Sequence, residues 1–159
     1  MLFKINQLRA RHQAPPVHIS AYRTANNSDQ FDVPINFFKD TPPMSYHSSV
    51  KQYVTNQTAR VPLKVTISVD DVARAWYLEP AKKYYDYGRE PAIFGENELH
   101  NSFVQLVWKS AKSVKILCSF VHVLGHGVVL THTVIDAEMD PMTNVKGQFA
   151  SNVLPPIDI

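Results

Sequence analysis

Two runs of strand-forming residues, Val114 to Val123 and Val128 to Ile135, are separated only by Gly125-His126-Gly127 and the residue before it. This spacing predicts a β-hairpin, because β-branched residues favour the pleated backbone and glycine supplies the positive φ that a tight reversal needs. A hairpin alone is marginal in water, so the rest of the chain must cover its apolar face.

Helices are the expected cover. Ser68 is placed to cap a helix whose first turn carries Asp70 and Asp71, where the helix dipole favours negative charge. Behind it Val69, Val72, Ala73, Trp76 and Tyr77 recur at i, i+3, i+4, i+7 and i+8, which predicts one buried stripe. Pro80 removes a backbone donor and restricts Glu79, so this helix ends or kinks there. Another helix is expected over Phe103, Leu106, Val107, Ser110 and Ala111, capped by Asn101 or Ser102. A short one runs from Leu2 to His12 with Ile5 and Leu8 on one side, and stops before Pro15-Pro16. The prolines of the first half leave room only for short elements there, and the last twenty residues are expected to wrap the surface as loops.

Chain length limits these elements to one domain, residues 1–159, able to bury roughly two-thirds of its unfolded surface. An apolar content of 45% against 19% charged residues argues for a folded core rather than disorder. The formal net charge of +2 gives no clustered basic excess, which speaks against nucleic acid as a partner. A single cysteine, Cys118, forms no internal disulfide, and polar residues interrupt the first apolar stretch before a signal-peptide core is reached. Both observations point to a cytoplasmic protein, and no run approaches the roughly 20 apolar residues that span a bilayer.

Five segments in collinear order resemble the CAP superfamily, which includes cysteine-rich secretory proteins, antigen 5 and plant pathogenesis-related proteins. Ile5-Asn6-Gln7-Leu8-Arg9 with His12 and Pro15-Pro16-Val17 resembles the first helix and turn, and Trp76-Tyr77-Leu78-Glu79 the W-Y-x-E helix. Phe103-Val104-Gln105-Leu106-Val107-Trp108-Lys109 resembles the H-F-T-Q-x-V-W-K helix, and residues Pro141 to Val145 the P-x-G-N-V turn. The tail Asn152-Val153-Leu154-Pro155-Pro156 is similar to that of the Golgi-associated branch. The resemblance implies an α+β fold, a three-layer α-β-α sandwich with a small antiparallel sheet.

It also implies a cleft of two histidines and two glutamates, a set that in some members holds a metal. Here His47 matches the first histidine, Thr55 replaces the first glutamate, Glu79 keeps the second, and Ser102 replaces the second histidine. Structural zinc wants four protein ligands and catalytic zinc usually three, so this remnant predicts no metal, no cofactor and no catalysis. His100 lies two residues before Ser102 and on a different face, and Gly95-Glu96-Asn97 copies the letters of the lost Y-G-E-N motif in a loop after the Trp76 helix.

His122, His126 and His132 flank the hairpin turn and read as hydrogen-bonded sheet residues, while Cys118, between Leu117 and Phe120, reads as core. No serine sits in a strand-to-helix elbow of the hydrolase kind. Tyr84, Tyr85 and Tyr87 extend the aromatic cluster of Trp76 and Tyr77 and are the candidate binding surface. The expected function is a non-catalytic interaction or structural module, a homodimer or part of a larger assembly. The alternative is peripheral binding to lipid or sterol at a membrane surface, which relatives in the family perform. A metal-dependent hydrolase ranks last.

Overall fold

A computed structural model describes residues 1–26, 37–38, 40–53, 67–77 and 85–157. Its elements are α1 (Leu2–Arg11), β1 (His18–Asn26), β2 (Met44–Tyr53), α2 (Val69–Tyr77), α3 (Glu96–Leu99), α4 (Ser102–Val107), β3 (Ser113–Gly125), β4 (Val128–Asp140) and α5 (Phe149–Asn152). The fold is α+β, with four strands in the order β1-β3-β4-β2.

The hairpin forms as expected, and its register explains its turn. Gly125 pairs with Val128, leaving a two-residue loop in which His126 and Gly127 have φ of 50° and 72°. Positive φ at both central residues is the reversal that matches the twist of the flanking strands. On the other side of β4, β2 runs antiparallel, with Met44 opposite Ala137 and Tyr53 opposite Val128.

The all-antiparallel sheet is not what forms. β1 pairs parallel to β3, with Tyr22 opposite Ile116 and Arg23 opposite Leu117, so the sheet is mixed. The physical reason is connectivity: β1 leaves α1 and enters the sheet beside β3, far away in sequence, instead of turning back on a neighbour.

Alternation along the strands gives the sheet a buried face and a half-covered one. Val114, Ile116, Cys118, Ile135, Ala137 and Met139 point into a core shared with Ile5 and Leu8 of α1, Val72, Ala73, Trp76 and Tyr77 of α2, and Phe103 to Trp108. Both tryptophans are about 1% exposed, which places the two tryptophan segments against the sheet as the sequence predicts. On the opposite face Glu138 is buried by the loop before β2, accepting from the amides of Asp40 and Thr41 at 3.3 Å, with Lys115 Nζ 3.8 Å from its other oxygen.

Several boundaries differ from expectation. Val69, at the start of the α2 stripe, is 37% exposed, because the first turn of the helix overhangs the core. α4 stops at Val107 rather than continuing to Ala111, since Trp108 turns to ψ 114°. The tail is not all loop: α5 buries Phe149 edge-on to Trp108, and Val153, four residues on, joins the same core. The expected end of α2 at Pro80 lies outside the described residues.

Arg9, on the buried side of α1, is fully covered. Its guanidinium donates to the carbonyls of Leu106 at 3.0 Å, Trp108 at 2.9 Å, Ala111 at 3.2 Å and Pro15 at 2.9 Å. Burial pulls its pKa down to about 10, so it remains protonated at neutral pH. One side chain thereby gives the Leu106 and Ala111 carbonyls around the early end of α4 a donor, and adds a second to the Trp108 carbonyl, which also accepts from the Ala111 amide at 3.1 Å.

Replacing this fork leaves buried acceptors with no donor, so Arg9→Met is expected to lower stability by about 3 kcal/mol, read by urea unfolding. Arg9→Lys, a point charge without the planar fork, recovers only part of it. At the hairpin, Gly127→Ala is expected to cost about 1 kcal/mol, because a Cβ is disfavoured at positive φ, while the exposed site rules out a packing effect.

Candidate functional site

The pocket is built on a small aromatic core at the end of α1. His12 is fully buried, with its ring centroid 5.3 Å from Phe103, 5.7 Å from Tyr77 and 6.1 Å from Tyr87. Its Nδ1 donates to the carbonyl of Leu154 at 2.7 Å, and Nε2 shares a 2.7 Å hydrogen bond with Tyr77 Oη. A carbonyl can only accept, so the proton on Nδ1 is fixed and α1, α2 and the tail are tied through one ring.

Tyr87 stacks on this ring, and Tyr85 leans on both Tyr87 and Phe103 at 5.0 and 5.6 Å. The outer side of Tyr85 opens on a pocket of about 480 Å³ that Pro91, Ala92, Val104 and Phe149 line with apolar groups. Asp86, Glu90 and Glu98 bring three carboxylates to it against the single cation Arg89. Ile93, 78% exposed, follows Ala92, and Phe94 sits edge-on to Phe149 at 6.0 Å.

Three of the polar groups around the pocket, Glu90, Glu98 and Asn101, are held by helix starts. The Glu90 carboxylate accepts from the amides of Phe149 at 2.9 Å and Ala150 at 2.7 Å, at the first turn of α5. Glu98 accepts from the Gly95 amide at 2.9 Å, closing α3, and Asn101 accepts from Val104 at 3.1 Å, capping α4. Unpaired amides at a helix start favour such anionic or amide oxygens. The pocket is thus preorganised and carries negative charge, which suits an apolar group bearing a cation or an N–H donor.

The same environment keeps the tyrosines neutral. Burial raises the Tyr85 hydroxyl well above its ordinary pKa, and Glu90, Tyr87 and Asp86 add to the rise. Tyr87 is pushed up to about 12, mainly by burial and then by Tyr77. Its Oη is buried and has no hydrogen-bond partner among the described residues.

Of the vestigial cleft positions, Thr55 and Glu79 lie outside the described residues, as does Tyr84 of the aromatic surface. His47 stands on the exposed side of β2, where its ring stacks on His132 at 5.5 Å, and Ser49 Oγ meets His132 Nδ1 at 2.8 Å. Ser102 is half-buried as the first residue of α4, with Asn101 and not Ser102 as its cap. His122 bonds Thr131 on the buried face while His132 points to the opposite one, and His126 occupies the turn, so these three do not converge.

His100 is bonded instead to Glu96, one helical turn back, at 2.9 Å in solvent. Cys118 is buried and desolvation raises its thiol, as a core position requires. Among the described residues no group of three or more His, Cys, Asp or Glu side chains is arranged to hold a metal ion. The pocket carboxylates were not singled out by sequence reasoning. Gly95 followed by Glu98 was a partial capping signal, but nothing local announced that Glu90 would reach α5.

No protein-family model matches this chain, and no curated protein does.

An unpaired, buried phenol gives a pH signature. Folded Tyr87 keeps its proton to about pH 12, whereas the unfolded chain loses it near pH 10, so between those values the folded state binds more protons and stability falls as pH rises. Tyr87→Phe is expected to be neutral or mildly stabilising at neutral pH and to flatten part of the alkaline decline. Urea unfolding at about pH 9 and about pH 11 measures both.

Proposed function

We propose that this chain is a divergent CAP domain of three-layer α-β-α design that acts as a cytoplasmic, non-catalytic interaction module. It grips a partner protein through the pocket beside Tyr85. The observation that carries the reading is the pocket: apolar walls, three carboxylates of which Glu90 and Glu98 are held by helix starts, and the exposed Ile93 beside it. That combination fits a partner side chain with an apolar stem and a cationic or N–H head, such as lysine or arginine.

The polar residues of the family-like segments support a binding rather than a chemical role. Gln105 donates to the Pro42 carbonyl and accepts from the Met139 amide, both at 2.9 Å. Asn144 donates to the carbonyls of Glu98, Leu99 and Asn101, and Asn152 takes the Ser110 amide. Each holds backbone in place. The lipid alternative draws less support, because the rings of Tyr85 and Tyr87 face His12 and Phe103 rather than standing out from the surface.

A partner captured from the native source is expected to be lost with Tyr85→Ala and with Ile93→Glu, provided both variants keep the parent chain's unfolding free energy, read by urea, to within about 1 kcal/mol. A photo-crosslinking residue at position 93 then identifies the contact, a second copy of the chain included. Capture that both variants leave intact, or a monomer with no partner, ends this reading. Retention on acidic vesicles that both variants abolish transfers the function of this pocket to lipid.

A further inference from the structure

The faces of α1 and α2 that look toward each other leave a second concavity, a cleft of about 360 Å³ that shares no residue with the Tyr85 pocket. On α1 it is lined by Lys4, Leu8 and Arg11, spaced i, i+4 and i+7. On α2 it is lined by Asp70, Ala73, Arg74 and Tyr77, so each helix contributes one row of side chains. Leu8, Ala73 and Tyr77 are buried and make an apolar floor. The rims are charged.

Lys4 and Asp70 stand 3.5 Å apart at one end and offset each other. Arg11 and Arg74 are exposed, and among the described residues no carboxylate lies within ion-pair distance of either. A cation in the last turn of a helix complements the dipole, which accounts for the sign of each arginine. It does not account for two of them lining one concavity with an apolar floor. Three cations against one carboxylate leave a surplus of two positive charges in a space at the lower end of ligand-pocket sizes.

We propose that this cleft binds a phosphomonoester. The doubly charged phosphate matches the surplus, two guanidinium forks suit its oxygens, and the floor accepts the first carbons of the ester. The group is carried either by a soluble metabolite or by a lipid headgroup, and the chemistry of recognition is the same.

The full chain is titrated with glycerol phosphate, followed by amide shifts or calorimetry, and separately mixed with vesicles of neutral lipid with and without phosphatidic acid. Saturable binding that weakens with salt is expected. Arg11→Gln and Arg74→Gln should each raise Kd roughly tenfold, the loss of one charge-assisted contact. Asp70→Asn should lower Kd by about threefold, because it frees Lys4 and removes a repulsion. Both arginines are exposed, so an unchanged Tm shows that these variants keep the fold.

Binding of glycerol phosphate without vesicle retention assigns a soluble source, and retention lost in both arginine variants assigns a lipid one. The proposal is overturned by no saturable response in either arm, by a response that both arginine variants leave unchanged, or by one that Asp70→Asn weakens.

Discussion

A guanidinium buried without water has to find acceptors, and Arg9 finds three carbonyls at the junction where α4 breaks off and the chain turns toward β3, and a fourth, that of Pro15, in the turn after α1. The rest of the helical layer is arranged around that constraint. Because α4 stops early, Trp108 can swing into the core and meet Phe149 edge-on at 5.3 Å, and the chain can enter β3 directly. A longer α4 would have satisfied its own carbonyls, leaving Arg9 a buried charge without partners. The helix end and the arginine therefore determine each other.

Similar exchanges recur wherever an irregular segment is buried. Asn6 copies a strand partner for Val17 by both donating to its carbonyl and accepting from its amide, at 3.0 and 2.8 Å. Asn144, at φ 55°, gathers three carbonyls around the end of α3. Thr41 and Thr143 bond reciprocally across two loops. Turns that would otherwise stay at the surface are drawn inward because side-chain amides and hydroxyls replace the water they give up. The pocket beside Tyr85 inherits its rigidity from this arrangement.

What could be read from the amino acids was what depends on local periodicity. The hairpin announced itself through β-branched residues and glycines, and α2 through the spacing of Val72, Ala73, Trp76 and Tyr77. Contacts at long range were not legible. β1 contains Ser20, Arg23 and Thr24 and borrows its order from β3, and nothing within residues 18–26 announces a parallel neighbour nearly a hundred positions away. β2 alternates half-buried and exposed residues but is rich in serine, so its apolar signal is weak. Arg9 reads as a surface charge on an amphipathic helix until its carbonyls are seen. The site divides in the same way: Tyr85 and Tyr87 stood out by type, whereas Glu90 acquires its role from the amides of α5, sixty residues later.

The ring of His12 joins α1 and α2 to Leu154, and the amide of Ile157 donates to the carbonyl of Arg11 at 2.7 Å. The first helix is therefore completed by the last segment of the described chain. The partners of its buried arginine and histidine come from α4, α2 and the tail, all of them later in the chain. The contacts that bury Arg9 and His12 thus span about a hundred residues or more, and each has to offset the entropy of closing that length of chain.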